Sequence, residues 1–252
     1  MNQRIGFVGV PPLAIIEAIA QEGDTLIDLD EPQVQQASLD QSASRIPRVY
    51  CAILRTVVLN CMHLALDRVY IDVGPGKCDC ALHTAEVLDD MLAVPVIRTR
   101  NQDARAFGYP LCLSRMPLLE KFRRITKGVQ SAQSYPVMSR CEPHCGFWGV
   151  PPRDFSLLSL FPDTTHIFGW TRCMENKTPA NLDLERAFDP NIPTVFFSQS
   201  FCAKAALAKH LASKHPRGIA IDCDVSAGSS TRAKIEAFLE LSGLEPGNRS
   251  VD

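Results

Sequence analysis

The sequence predicts an α/β protein built as two lobes, each around a parallel sheet, and two observations carry that prediction. The first is a repeat. Gly6-Phe7-Val8-Gly9-Val10-Pro11-Pro12 recurs as Gly146-Phe147-Trp148-Gly149-Val150-Pro151-Pro152, identical at six of seven positions. Each copy runs into an apolar-patterned segment, as two related lobes require. The second is a series of short apolar runs that end in small-residue loops and lead into helices, the unit from which parallel sheets are assembled. The expected architecture is therefore α/β, two Rossmann- or flavodoxin-like lobes with parallel sheets and a cleft between them. The first lobe is read over residues 1–125, a connecting segment over 126–144 and the second lobe over 145–252.

In the first lobe, Ile5 to Val8 forms a strand, and Ile15, Ile16 and Ile19 mark the helix after it. Gln33 to Ser44 is polar and reads as a loop or exposed helix. A helix starts about Cys51 and runs past Leu59. Val69 to Val73 is a strand, and Gly74-Pro75-Gly76-Lys77-Cys78-Asp79-Cys80 is its loop. Leu82, Ala85, Leu88 and Leu92 stripe the next helix, and Val94 to Ile97 closes the unit as a parallel strand. Arg98, Arg100, Arg105, Arg115, Lys121, Arg123, Arg124 and Lys127 then make a basic stretch with a helical middle near Leu118 to Ile125. It reads as a solvated connecting helix, with a docking face for an acidic partner or a phosphate-bearing cofactor tail as the sharper alternative.

In the second lobe, His166 to Trp170 is a strand and Thr171 to Pro179 a polar loop. Thr194 to Phe197 is the next strand, Ser198 to Cys202 its loop, and a helix runs from Ala203 to about Ala212. The run Ala220-Ile221-Asp222-Cys223-Asp224 then ends in a small-residue loop. Ser229 or Ser230 caps a helix striped by Ile235, Phe238 and Leu239 and stopped near Gly243.

Composition narrows the function. A chain of 252 residues that is 46% apolar and 21% charged is an ordinary globular protein, which excludes disorder. A formal charge of -2 gives no ground for nucleic acid or an anionic membrane as partner. The most apolar stretch, Cys51 to Leu66, is broken by Arg55 and His63 and falls short of a membrane span. The N-terminus runs straight into a strand without a signal-peptide layout, so a cytoplasmic protein is expected.

Ten cysteines in such a chain are either metal or cluster ligands or inert buried thiols, because disulfides do not persist in a reducing compartment. Cys61 and Cys112 sit among apolar neighbours and read as core. Cys51, Cys78 and Cys202 stand in or beside loops at predicted helix starts. There free N–H groups and partial positive charge favour a thiolate. Loops of this kind converge at the ligand-binding edge of an open α/β sheet.

Five segments together resemble the D-component family of 2-hydroxyacyl-CoA dehydratases and benzoyl-CoA reductases. They are Pro11 to Ala20, Ile46-Pro47-Arg48-Val49-Tyr50-Cys51, Lys77-Cys78-Asp79, Phe201-Cys202 and Thr231 to Glu240. The resemblance implies that Cys51, Cys78 and Cys202 hold a [4Fe-4S] cluster whose fourth iron lacks a cysteine ligand. It also implies electrons supplied by a separate ATP-hydrolysing activator, and a homodimer or heterodimer with a related subunit. The family's members are generally longer, which puts acyl-CoA as the substrate in doubt. Cys80, Cys141, Cys145 and Cys173 are additional here. They are free thiols or the further ligands of a double-cubane cluster like that of one branch of the family. Cys141 and Cys145, with His144 between them, form a weaker zinc pattern.

Of the other polar residues, Asp79 reads as a helix cap or a support for the cluster loop, beside Asp222, Asp224 and Glu236. Lys77 and His83 flank the same loop as surface residues or proton carriers. Thr231 and Arg232 read as cap and anchor of the last helix. Gly6-x-x-Gly9 is too little for a dinucleotide fingerprint, and no Walker-type motif occurs. The expected function is thus an iron-sulfur reductase or dehydratase subunit passing low-potential electrons to a small substrate. The alternatives are a non-catalytic cluster carrier or assembly subunit of a larger redox complex, and a zinc-stabilised α/β binding protein.

Overall fold

A computed structural model of the chain describes residues 2–34, 38–104, 110–133 and 135–244. Arg105 of the basic stretch and residues 35–37 of the polar stretch lie outside them. The described residues form two compact units. One takes the chain up to residue 104 with 129–133 and 177–180, and the other takes 110–128, 135–176 and 181–244.

The first unit contains β1 (Arg4–Val8), α1 (Leu13–Glu22), β2 (Thr25–Asp28), α2 (Ala52–His63), β3 (Arg68–Asp72), α3 (Asp79–Met91) and β4 (Val96–Thr99). Its four strands are all parallel, in the order β2-β1-β3-β4. The second unit holds most of α4 (Leu118–Val129), then β5 (Cys145–Gly149), β6 (Thr165–Phe168), α5 (Trp170–Asn176), α6 (Leu182–Arg186), β7 (Thr194–Gln199), α7 (Ala205–Lys214), β8 (Gly218–Cys223) and α8 (Ser229–Leu241). Its strands are again parallel, in the order β6-β5-β7-β8. The α/β fold class is as the sequence predicts, and the two sheets share one strand order.

The repeated heptapeptide explains that likeness. Its two copies are β1 and β5, the second strand of each sheet, with the turn that follows. Gly6 pairs with Val69 of β3 and Gly146 with Thr194 of β7, so the copies hold the same register. The order reverses direction between the repeat strand and its third-strand neighbour, which makes the carboxyl ends of β1 and β3, and of β5 and β7, the switch points where such sheets take ligands. The fourth residue of each copy is a glycine with positive φ, +80° at Gly9 and +147° at Gly149. A Cβ at Gly149 would run into the Phe197 carbonyl, so only glycine serves there.

In the first lobe, Val57, Val58 and Cys61 of α2 pack with Ala85 and Leu88 of α3 against Val69 and Ile71 of β3. Asn60, fully buried on α2, donates to the carbonyls of Leu29 and Glu31 at 2.9 and 2.7 Å, which fixes the loop after β2. In the second lobe, Phe147 stacks on Phe197 at 5.7 Å and meets Phe161 and Phe122 edge-on. Each such buried ring is worth roughly 2 kcal/mol of apolar burial.

Four local readings need correcting. β2 is a strand the pattern does not announce. Trp170, expected to end a strand, and residues 171–176, expected in a loop, form the helix α5 instead. Gly228, not a serine, occupies the N-cap of α8, and Ser229 is its first helical residue. The basic helix α4 is not solvated all round. Leu118, Phe122 and Ile125 are buried in the second core, and Lys121 on the same helix is buried with them. No helix among the described residues is long and apolar enough to cross a membrane.

Candidate functional site

Cys51 and Cys78 both stand at helix N-caps in the first lobe. Cys51 precedes Ala52 of α2 and is buried; Cys78 precedes Asp79 of α3 and is exposed. Both have extended-type ψ values, 124° and 156°, so each departs from the chain just before the free N–H groups of its helix. The two helix starts are joined. The Tyr50 hydroxyl donates to the Cys80 carbonyl at 3.2 Å, and the Thr84 hydroxyl donates to the same oxygen at 2.8 Å.

The electrostatics of this corner follow first from burial and then from the neighbouring thiols. The Cys78 thiol is raised above its ordinary value, first by partial burial and then by Cys80 and Cys51, while the backbone of Ala81 and Cys80 works the other way. Tyr50 is pushed up to about 12 by burial and by Cys80. Within neither lobe, among the described residues, do three His, Cys, Asp or Glu side chains gather in a metal-holding group.

In the second lobe, Cys202 follows β7 as Cys78 follows β3. Cys78 lies nine residues beyond Val69, and Cys202 eight beyond Thr194, the residues paired with the two repeat glycines. The loop is a tight turn in which the Cys202 amide donates to the Gln199 carbonyl at 3.0 Å. Phe201 within it has a φ of +61°, an uncommon and costly state for a residue with a Cβ, and its ring is 53% exposed. Ser200 donates from its hydroxyl to Asp222 Oδ1 at 2.7 Å.

The remaining cysteines separate by burial. Cys61 and Cys145 are buried and their thiols are pushed up to about 12; burial likewise raises Cys112 far and Cys173 to a lesser extent. Cys223, at the end of β8, is pushed up to about 11 by burial and by Asp154. Cys141, His144 and Cys145 take different partners. Cys141 Sγ lies 3.6 Å from His166 Nε2, His144 Nδ1 lies 3.2 Å from the Thr164 hydroxyl, and Cys145 is fully buried at the start of β5. Asp79, His83, Asp222 and Asp224 are exposed, and Glu236 is half-buried. Arg232 donates to Ser156 Oγ at 3.0 Å, anchoring α8 to the turn of 3-10 helix at Phe155–Leu160.

Sequence reasoning passed over the residues that support these loops. Asp72 closes β3 with its carboxylate buried. Its Oδ1 accepts from the Asn101 amide at 2.7 Å, and its Oδ2 faces Lys77 Nζ at 3.5 Å. Gln199, fully buried, donates to the carbonyls of Cys223 and Asp224 at 2.7 and 2.8 Å and accepts from the Arg153 amide at 3.0 Å. A polar residue ending an apolar strand was the available signal for both. The β1–α1 turn is occupied by the protein's own carboxylates, with the Gly9 amide donating to Asp30 and the Leu13 amide to Asp103, both at 2.8 Å. Those amides are where a nucleotide phosphate binds in sheets of this kind. No protein-family model and no curated protein matches the chain.

Proposed function

We propose that this chain is an iron-sulfur reductase or dehydratase subunit whose [4Fe-4S]-type cluster is held by Cys51, Cys78 and Cys202. One observation carries the reading: the loop after the third strand of both lobes delivers a cysteine at the same topological place, and Cys51 comes to stand beside Cys78 in the first. When bound, a cluster with one iron lacking a protein thiolate supplies a low-potential electron and an open coordination position. The chain's own part is to present Cys51 and Cys78 at the N-caps of α2 and α3, to place Cys202 in the turn ahead of α7, and to brace the loops that bear them.

The electron source would be a separate ATP-hydrolysing iron-sulfur activator, in keeping with the carboxylates that fill the β1–α1 turn of this chain. The working location would be the cytoplasm, and the assembly a dimer of this chain or a pair with a related subunit. A second reading, a cluster carrier in a larger redox complex, draws on the electrostatic nearness of Cys80 to Cys78, which offers a fourth thiolate.

Anaerobic isolation followed by iron and acid-labile sulfide counts tests the proposal. Iron and sulfide in equal amounts, with a reduced-state EPR signal lost in Cys51→Ser, Cys78→Ser and Cys202→Ser, is the expected result. Stoichiometric zinc without sulfide, or cluster retention in all three variants, would overturn it.

A further inference from the structure

Both cysteine loops are pinned to the turn of the repeated strand in their own lobe, by different chemistry. In the first lobe, Lys77 does not extend into solvent; its side chain is 14% exposed and folds back towards the buried Asp72 carboxylate. Its ammonium stands over Gly9, and a Cβ at that glycine would collide with Nζ. The Gly9 backbone, at φ +80°, is thus matched to a lysine that starts one residue before Cys78. The Lys77 amide also donates to the Gly74 carbonyl at 3.2 Å, so the loop is fastened at main chain and side chain alike. Asp72 is held in turn by the Asn101 amide and the Thr99 hydroxyl, which ties the clamp to β4.

In the second lobe a neutral amide does the corresponding job. Gln199, three residues before Cys202, accepts from the Arg153 amide just past the second Pro-Pro turn and donates to two carbonyls at the end of β8. A buried side chain with three such bonds resists movement, because releasing it leaves polar groups unsatisfied in the core. Two different devices, a lysine in the loop after β3 and a glutamine ending β7, thus each fix a cysteine loop to its repeat turn.

We infer that Lys77 and Gln199 are positioning residues for Cys78 and Cys202, each locking its cysteine loop against the Gly9 or Gly149 turn. That the locked cysteines are ligands rests on the function proposed above; the locking itself does not.

Hydrogen exchange read by mass spectrometry on the metal-free protein tests the clamps directly. Lys77→Met and Gln199→Met keep side-chain length and remove the polar contacts. Lys77→Met should speed exchange in 74–80 about tenfold, the loss of one net interaction, and leave 199–204 unchanged. Gln199→Met should do the reverse, and Lys77→Arg should restore slow exchange in 74–80. Unchanged exchange in the segment nearest each substitution, or equal acceleration throughout the chain, would overturn the inference. If Gln199→Met does not fold, the Lys77 pair decides alone for the first lobe, and Arg153→Pro, which removes the donor to Gln199, decides for the second. Iron content of the same variants separates the two proposals. Loosened loops with undiminished iron uphold the clamps and count against the ligand assignment, whereas loosened loops with reduced iron support both.

Discussion

The Tyr50 hydroxyl donates to the Cys80 carbonyl oxygen at 3.2 Å and so fastens the residue before Cys51 to the first turn of the helix that Cys78 caps. Two cysteines separated by 27 positions are thereby held in one corner of one lobe. Replacing Tyr50 with Phe removes the bond and keeps the ring. The expected cost is about 1 kcal/mol, the net value of one hydrogen bond, measured by urea unfolding. Cys51, buried in the intact protein, should become several-fold faster to alkylate. An unaltered alkylation rate at Cys51 would show that the bond does not hold this corner.

The strained turn before Cys202 gives a prediction of opposite sign. Phe201 has φ +61° and a largely exposed ring, so Phe201→Gly relieves the backbone while giving up little burial. The variant should be more stable by about 1 kcal/mol, after glycine's own entropy in the unfolded chain is subtracted. Increased stability together with reduced iron content would mark the strain as serving the site. A destabilised variant would show that the ring contributes more packing than its exposure implies.

Much of this fold could be read from the residues, and the parts that could not have a common cause. β1, β3, α3, β7 and α8 were legible because apolar residues recur at strand or helix spacing and the loops carry glycine and proline. Helix α5 was not, because its buried positions are Thr171, Cys173 and Glu175, which make no apolar stripe. Strand β2 is four residues, Thr25 to Asp28, with a single buried position, too short for its alternation to register. Lys121 and Glu175 are buried charges that a surface rule places outside. Lys121 Nζ instead donates to the Thr165 carbonyl at 2.6 Å, and Glu175 accepts from the Leu111 amide at 2.6 Å. Of the candidate site, Cys51 and Cys78 at helix starts were legible, but the helix expected from Ala203 begins at Ala205 behind its cap Lys204, which leaves Cys202 in the preceding turn, and the pairing of Tyr50 with Cys80 and of Lys77 with Asp72 depends on contacts across a fold.

Burial of His166 and Lys121 sets a pH dependence. His166 is lowered from 6.5 to about 4, mainly by burial and then by Lys121 and Arg140. The unfolded chain therefore binds more protons than the folded one between those values. Stability should be complete above about pH 6.5 and decline as the pH falls towards 4. Lys121 is lowered from 10.5 to about 8 by burial, so its contribution to stability rises as the pH climbs from 8 towards 10.5. Urea unfolding at several pH values should show His166→Gln flattening the acid limb and Lys121→Met flattening the alkaline one. Limbs of undiminished slope in both variants would assign the dependence to other groups.

Cys61 and Cys112 test the division between core and ligand thiols. Each is buried with its thiol raised by burial, so each is protonated and inert at neutral pH. Cys61→Ala and Cys112→Ala should each cost roughly 1 kcal/mol by removing a small buried side chain, and leave iron content as it was. Iron loss from a variant that unfolds cooperatively at the normal midpoint would move that cysteine into the site.

Cys80 separates an enzyme from a carrier. It lies two residues beyond Cys78, in the first turn of α3, half-buried, and it adds to the rise of the Cys78 thiol. Its carbonyl is engaged by Tyr50 and Thr84, so the backbone at this point is fixed whichever side chain it bears. Cys80→Ser is therefore expected to leave the fold unchanged and to act through the sulfur alone. If the reduced cluster has an iron open to solutes, a small thiol or anion added from outside should alter its EPR spectrum in the parent and in the variant alike. If Cys80 is the fourth thiolate, added ligands should leave the parent spectrum as it is, and the variant should lose the cluster or become sensitive to them. The expected outcome is the first, because the proposed reductase or dehydratase needs a coordination position its substrate can reach, and the second outcome would favour the carrier reading over the proposed enzyme.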